Sequence, residues 1–549
     1  MTDKVIIYQV FTRLFGNRNT TRKEWGTIAE NGSGKFNDFD SKTLKSIKKL
    51  GISHIWYTGV IRHATQTNYS QYGIPSQSAT VVKGKAGSPY AICDYYDVDP
   101  DLAVNVEKRM DEFDKLVVRT HKAGLKVMID FVPNHVAREY KSICKPEGVE
   151  DLGANDDKSQ GFSPQNNFYY CPGCHFEPSF DKGDYDEYPA RATGNDHFDN
   201  HPGINDWYET VKLNYGVDYW TRFGHFSPVP DTWDKMVEIL LFWASKGIDG
   251  FRCDMAEMVP AAFWDYATAK VKTQYPHIVF MGEVYNPSEY RNYINSGFDW
   301  MYDKVGMYDA MRAVICGQAP AHILTGAWQS VDDIKEHMVY FLENHDEQRI
   351  ASDFFAGSAI KGLPGMVASV LMKSSPFMLY AAEEYGEKGM DKEGFSGKDG
   401  RTTIFDYWSV DTLCRAEADA LNDEERLVFA VHEKTLQIAR KEKAVDGDFY
   451  DLMYVNPSSE NFNNEKQFAF LRKKDNELLI VVVNFDDSDV NIQVRIPSHA
   501  FEYLAISEKK YKAKDLLSGD KQDIVLSNDG LVPMSLASRG SRVWKITIK

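Results

Sequence analysis

Residues 106–135 read VEKRMDEFDKLVVRTHKAGLKVMIDFVPNH and decide the class of fold. One set of apolar side chains in this stretch recurs at a spacing of three or four: Val106, Met110, Phe113 and Val117. That spacing is typical of one buried face of a helix, and Gly124 stands where a C-terminal cap glycine belongs. The run KVMIDF at 126–131 then has the composition of a buried strand. The stretch therefore predicts a helix over 101–123 followed by a strand over 126–131.

The same alternation extends along the chain on both sides of this unit. The strand-like runs are 5–8, 52–57, 126–131, 249–254, 278–284, 297–301, 338–343 and 376–380. Two of the intervening helices have a candidate N-cap, Ser41 for a helix that stops at Gly51 and Asp231 for a helix through Lys246. Eight strands with interleaved helices predict an α/β fold, a parallel (β/α)8 TIM barrel.

Two parts of the chain depart from this alternation. Residues 136–230 are rich in Gly, Pro, Asn, Asp and aromatic residues, and so long a structureless loop is improbable in a compact fold. They are interpreted as a subdomain B inserted after strand three of the barrel, which then comprises 1–135 and 231–445. From 446 to 549, short strands follow one another with turn residues between them, which predicts a C-terminal all-β sandwich domain.

Composition excludes some partners and favours one compartment. The 549 residues carry a formal charge of −17, which argues against nonspecific binding to nucleic acid, and no apolar run approaches the length of a membrane helix. The seven cysteines are an odd number spread over the whole chain, and the N-terminus MTDKVIIYQVF has no signal-peptide pattern. We therefore expect a cytoplasmic protein without a disulfide framework. The oligomeric state is left open.

Titratable residues follow the predicted strands at the point where each strand ends. Strand three ends at Asp130 and runs on to Asn134 and His135, and the later strands end at the pairs Arg252/Asp254 and His345/Asp346 and at the single acid Glu283. A lone acid at a strand end is more often a helix cap than a catalytic group. In a barrel, however, these ends all point into one mouth, so the set predicts an active site.

Two carboxylates that face each other across a pocket suit the cleavage of a glycosidic bond. Arg252 and Asp254 point to the same side of a strand, so we expect the guanidinium to keep Asp254 ionised, as a nucleophile requires. Glu283 lies among apolar and acidic neighbours and is expected to stay protonated near neutral pH, as a general acid requires.

Four segments resemble the sequence signatures of the α-amylase family of glycoside hydrolases (family 13): DFVPNH at 130–135, GFRCD at 250–254, MGEV at 281–284 and ENHD at 343–346. Their order and spacing follow the predicted strands, and the β-rich tail resembles the C-terminal domain of the family. The resemblance implies a retaining mechanism, for which the two reacting carboxyl groups lie about 5–5.5 Å apart.

The resemblance also assigns a role to each residue. Asp254 is implied as the nucleophile that forms a covalent glycosyl-enzyme, Glu283 as the acid/base and Asp346 as the third carboxylate, which binds ring hydroxyls. His135 and His345 are implied to bind hydroxyls of the same sugar, Arg252 to orient Asp254, and Tyr90 to stack under the sugar ring.

The sequence departs from the family pattern at several positions. Glu257 and Met258 replace the Lys-His that members acting on long α-1,4-glucans usually carry, which makes the acceptor side unusual. Gly87 replaces an Asp of exo-acting members, which favours internal cleavage. Lys212 in TVKLN aligns with a calcium-binding Asp, so we predict no metal there, with Asn134 a hydrogen-bonding residue.

Two further points remain open at this stage. Cys171 and Cys174, in CPGCH, match half of a zinc site or a redox pair, but no second half follows, so a plain loop is favoured. The leading function is hydrolysis of α-1,4 bonds in starch, glycogen or maltooligosaccharides without a required cofactor. The alternatives are a transglycosylase, an oligosaccharide-specific (maltogenic or debranching) hydrolase, and a non-catalytic binding relative.

Overall fold

The computed structural model describes residues 2, 4–389, 393–395 and 397–548. Its centre is a closed barrel of parallel strands, each paired with the next along the chain, and the last pairs with the first. These strands are β1 Ile6–Phe11, β2 His54–Thr58, β3 Lys126–Phe131, β4 Gly250–Cys253, β5 Val279–Gly282, β6 Trp300–Tyr302, β7 Met338–Phe341 and β8 Phe377–Tyr380. This closed ring confirms the predicted TIM barrel. Its strands are continuous apolar runs because both of their faces are covered.

Helices cover the outside of the barrel. The longer ones are α1 Ser41–Lys49, α2 Arg109–Lys122, α3 Asp231–Ser245, α4 Ala261–Gln274, α5 Leu363–Leu371 and α6 Asp423–Lys441. Shorter helices span Thr12–Phe15, Ile28–Asn31, Tyr290–Asn295, Asp309–Ile315, Ile323–Gln329 and Asp411–Glu417.

Three predicted helix starts were wrong. The cap of α1 is Asp40, whose carboxylate accepts from the backbone N–H groups of Lys42 and Thr43, so Ser41 is the first helical residue. Asp231 likewise lies inside the first turn of α3, after Pro230. The helix predicted over 101–123 begins only at Arg109, because the preceding residues form two separate 3₁₀ turns.

Between β3 and α3, the chain forms short strands in antiparallel pairs. The pairs are His135–Ala137 with Thr210–Lys212, Tyr170–Cys171 with Ala190–Arg191, and Val217–Asp218 with Phe223–Gly224. A second excursion from the barrel, the pair Ile61–His63 and Ile92–Val98 between β2 and β3, was not predicted. Both excursions leave from the carboxyl ends of strands and wall the mouth of the barrel.

The C-terminal domain consists of β-strands, as predicted, apart from the short helix Ser498–Tyr503. Its strands are β9 Asp448–Asp451, β10 Gln467–Lys474, β11 Glu477–Asn484, β12 Val490–Arg495, β13 Lys509–Asp515, β14 Lys521–Leu526, β15 Leu531–Leu536 and β16 Ser541–Thr547. Six of them form one sheet in the order β9-β10-β11-β16-β13-β14, and β12 pairs with β15.

One buried arginine ties this domain to the barrel. The guanidinium of Arg472, on β10, donates 2.5 Å to the carbonyl of Met372 just after α5, and 2.9 Å to that of Gly447. It also donates to the carbonyls of Ala444 and Val445. In the part of the chain that the structure describes, no helix combines the length and the hydropathy of a membrane span.

Candidate active site

The barrel mouth opens into a cavity of about 610 Å³. Six of the seven residues predicted from strand ends and family motifs line it: Tyr90, His135, Asp254, Glu283, His345 and Asp346. The seventh, Arg252, lies fully buried beneath them. Residues up to 256 positions apart therefore meet because the strands that carry them close into one ring.

Arg252 holds both reacting carboxyl groups. One terminal nitrogen donates to Oδ1 of Asp254 at 2.6 Å, and the other donates to Oε2 of Glu283 at 2.6 Å. Asp130 contributes an oxygen 3.6 Å from the guanidinium. Rings of Trp56, Tyr90 and Tyr302 surround the same group, with their centroids 5.2–5.8 Å from its carbon. A planar group with fixed donors on two edges sets the separation and orientation of two carboxylates at once.

The electrostatics of Asp254 differ from the expectation. Burial raises the pKa of Asp254 well above its usual value; Arg252 opposes this, and the neighbouring charge of Glu283 adds to it. The expectation that Arg252 keeps Asp254 ionised considered only one of two opposing effects: the guanidinium lowers the pKa of Asp254, and burial, which a sequence does not reveal, raises it more.

His345 connects the floor of the cavity to the third carboxylate. Its Nε2 lies 2.5 Å from the Tyr90 hydroxyl and 3.1 Å from Oδ2 of Asp346. Its Nδ1 lies 2.8 Å from the side-chain amide nitrogen of Gln9, on β1. Burial and the nearby Arg252 charge lower the pKa of His345 well below its usual value, so the ring is neutral when it meets a substrate.

His135 lines the same cavity. Burial lowers its pKa to about 3, helped by the ammonium groups of Lys212 and Lys83. The ring of Trp207 lies against it, with 5.3 Å between the centroids. A neutral imidazole beside a half-buried indole offers one polar and one flat apolar surface, which suits a sugar ring.

Several residues that line the cavity were missed from the sequence: Lys83, Trp207, Glu209, Tyr285 and Arg401. All lie in loops or in the inserted segment, where no periodicity marks them. Lys83 and Glu209 form a buried ion pair of 3.0 Å. Gln9, on β1, was also missed; it does not line the cavity, but its side-chain amide nitrogen contacts Nδ1 of His345.

Lys212 is a buried cation at the position where the family resemblance implies a calcium ligand. Its ammonium group lies 2.7 Å from Oδ1 of Asp196 and donates to Oδ1 of Asn134 and, at 3.3 Å, to the carbonyl of Met258. Burial lowers the pKa of Lys212, and the Asp196 carboxylate opposes that shift. Three oxygens already surrounding an ammonium do not fit Ca²⁺, which takes 6–8 oxygen ligands.

The structure gives a reason for two other departures from the family pattern. Gly87 has φ +77°, and a Cβ atom there would lie 1.6 Å from the carbonyl oxygen of Ala64, so no Asp can stand at this position. The carboxylate of Glu257 accepts from the backbone N–H groups of Tyr285 and Asn286, at 2.9 and 3.0 Å. Glu257 is therefore engaged with the next loop and does not project into the cavity.

The cysteine motif forms a turn in which the N–H of Cys174 donates to the carbonyl of Cys171 at 3.1 Å. His175, beside them, pairs with Asp186 instead. Among the described residues, the cluster with metal-ligand geometry is Asp94, Asp97 and Cys144. Arg62 and Arg109 already neutralise its carboxylates.

Two protein-family models match the chain. Residues 9–479 match the α-amylase catalytic domain, and residues 459–547 match the α-amylase C-terminal all-β domain. The chain belongs to the α-amylase family. α-Amylase 3 of Dictyoglomus thermophilum is 22% identical over 466 residues, which cover 80% of this chain and 78% of that protein. The chain spans only about half the length of three other α-amylases, namely 56%, 47% and 49%.

Solved α-amylase structures share the fold over the whole chain. A maltogenic α-amylase of Thermotoga neapolitana superposes with a TM-score of 0.64 at 19% identity and covers 99% of both chains. The α-amylase of Geobacillus thermoleovorans, solved with acarbose, gives 0.65 at 17% identity over 100% of both chains. Like its α-amylase relatives, the chain is a glycosidase, and all four of its signature segments lie within the matched catalytic domain.

Proposed function

We propose that this glycosidase is a retaining hydrolase that cleaves α-1,4-glucosidic bonds of maltooligosaccharides, starch or glycogen. The observation that carries the proposal is the shared guanidinium, which presents Asp254 and Glu283 to one cavity from 2.6 Å on each side. Two carboxyl groups held by one guanidinium suit a reaction in which one attacks the sugar and the other protonates the leaving oxygen.

The proposed reaction has two steps. A carboxylate oxygen of Asp254 attacks the anomeric carbon while Glu283 gives its proton to the glycosidic oxygen, and the leaving chain departs with a free hydroxyl. Glu283 then removes a proton from water, which attacks the glycosyl-enzyme and releases Asp254. Asp346 and the neutral His345 bind ring hydroxyls, and these bonds strengthen as the ring flattens.

The test is to incubate the pure protein with maltotetraose, starch and pullulan, and to follow the products by chromatography and the new anomers by proton NMR. We expect α-anomers to appear first. Initial release of β-anomers, or no cleavage of any α-glucan, would refute the proposal. The distribution of products also decides chain-length preference and tolerance of α-1,6 bonds.

A transglycosylase is the second candidate, since the same intermediate serves both reactions. Glu257 and Met258 replace the Lys-His of starch-degrading members and do not line the cavity, which favours an acceptor preference unlike theirs. Adding maltose as an acceptor distinguishes the two, because a transglycosylase then makes longer products at the expense of free reducing ends. A non-catalytic role is disfavoured, because Asp254, Glu283 and Asp346 are all retained.

We also propose that the protein works without calcium and in a reducing compartment. Lys212 supplies a cation at the position discussed above. All seven cysteines are free thiols, and Cys93 and Cys253 are buried. Titration of seven thiols in the denatured, unreduced protein supports the second proposal, and fewer than seven contradicts it.

A further inference from the structure

The proton that Glu283 delivers has only one oxygen on which to reside. Oε2 of Glu283 accepts from Arg252 at 2.6 Å and from the backbone N–H of Met255 at 2.8 Å. A carboxyl oxygen has two in-plane acceptor sites, so these two donors fill Oε2. Oε1 is left to carry the proton, and the hydroxyl of Tyr285 lies 2.6 Å from it.

Tyr285 is held in this position by its own backbone. The carboxylate of Glu257 accepts from the N–H groups of Tyr285 and of Asn286, which fixes the turn immediately after Glu283. The hydroxyl of Tyr293 in turn donates to the carbonyls of Glu257 and Val259, at 3.1 and 3.0 Å. These hydrogen bonds connect the loop after β5 to the loop after β4, beside the two reacting carboxyl groups.

The hydroxyl of Tyr285 remains protonated throughout. Burial and the charges of Glu283 and Asp346 raise the pKa of Tyr285 well above its usual value. It therefore serves as a hydrogen-bond donor to an ionised Glu283, and turns its hydrogen away when Oε1 bears the proton. No proton is gained or lost by Tyr285 over the cycle.

We propose that Tyr285 is a positioning residue for Glu283 and that Glu257 sets its place. Tyr285 holds Oε1 in the direction of the leaving oxygen and stabilises the carboxylate that remains after proton transfer. The inference rests on the proposed function, because it gives Glu283 the role of acid/base.

The test compares two substrates that differ in their need for an acid. Maltotetraose has a sugar alkoxide leaving group that must be protonated, whereas α-maltosyl fluoride loses fluoride without a proton. For Tyr285→Phe we expect kcat/KM for maltotetraose to fall by roughly 10-fold or more, within the range of acid catalysis. For α-maltosyl fluoride, kcat/KM should change by no more than about twofold, because it reports only the first step.

The pH profile supplies an independent readout. Removing a donor to the ionised carboxylate favours the protonated form, so the alkaline limb of kcat/KM for maltotetraose should move up by about 0.5–1 pH unit. Glu257→Gln keeps an acceptor for both backbone N–H groups and should behave like wild type, whereas Glu257→Leu should follow Tyr285→Phe.

Tyr290→Phe is the matched control, since the buried Tyr290 hydroxyl has no hydrogen-bond partner within the described part of the chain. An equal loss on both substrates would show that Tyr285 acts only on the structure, and unchanged kinetics would exclude any role; either result overturns the inference. If the wild-type protein cleaves neither substrate, the proposed function itself fails, which is a separate outcome.

Discussion

Charge in the cleft is unbalanced at the level of single residues. Asp254 and Glu283 share one guanidinium, and Asp346 lies on the same cavity. Burial raises the pKa of Asp254, the charges of Glu283 and Asp346 add to this shift, and Arg252 opposes it. The site therefore depends on the exact placement of Arg252 to keep its nucleophile available as an anion.

Replacing Glu283 by Gln keeps the side-chain shape and removes the transferable proton. We expect kcat for maltotetraose to fall by about 10²–10⁴-fold, the range that general acid catalysis supplies. Oligosaccharide binding, measured by calorimetry, should be retained. Glu289→Gln, six positions later and outside the cavity lining, is the control and should keep full activity. Comparable activity in the two variants would contradict the assigned role.

The buried ammonium of Lys212 gives a prediction about metals. Lys212→Met leaves Asp196 and Asn134 without their cation, and we expect the free energy of unfolding to fall by about 2–4 kcal/mol. The loss should be somewhat smaller than for a fully buried ion pair, because Asp196 is partly exposed. The wild-type Tm should be the same in EDTA and in calcium chloride. A rise in the wild-type Tm with calcium would contradict the prediction, because a ligand of the folded state stabilises it.

At the scale of elements, much of the fold was readable from the sequence. Buried parallel strands are continuous apolar runs, so all eight were found within a few residues. The start of α2 was misplaced because Val106 continues the helical spacing while Asp99 and Asn105 cap separate 3₁₀ turns before it. The pairing of His135 with Lys212 joins residues distant in sequence, and no local pattern records it.

The site was predictable to the same extent as the elements that carry it. Asp254, Glu283 and Asp346 follow strands and were found. Trp207 and Tyr285 lie in loops whose course depends on contacts such as those of Glu257, and these contacts are visible only in three dimensions.

The loop before Tyr90 depends on a glycine for space as well as for conformation. At Gly87 an added Cβ meets the Ala64 carbonyl oxygen at 1.6 Å, whereas at Gly73, with a similar φ of +74°, it meets nothing within 4 Å. Gly73→Ala should cost only the left-handed strain of about 1–2 kcal/mol. Gly87→Ala should cost clearly more in urea unfolding and should also reduce activity through Tyr90. Equal losses in the two variants would contradict the steric argument.

At the scale of the whole molecule, Arg472 joins two domains through backbone carbonyls on both sides. Arg472→Met removes the donor to four carbonyls, including that of Met372 beside the barrel. We expect a loss of at least about 3 kcal/mol in the free energy of unfolding, since hydrogen bonds to a buried charge are worth about 1.5–3 kcal/mol each. Calorimetry should then resolve the barrel and the β domain as separate transitions. Lys474→Met, exposed on the same strand, is the control, and one unchanged transition in both variants would contradict this role.

The closure of the barrel also has a consequence for biosynthesis. Ile6 pairs with Phe377, so the first strand of the barrel lacks its partner on one side until the eighth strand has been translated. At ribosomal elongation rates of about 5–20 residues per second, this interval is roughly 20–75 s. During this interval the unpaired edge of β1 exposes backbone N–H and C=O groups that can pair with another polypeptide. The nascent chain therefore has to be protected from such pairing until the barrel closes.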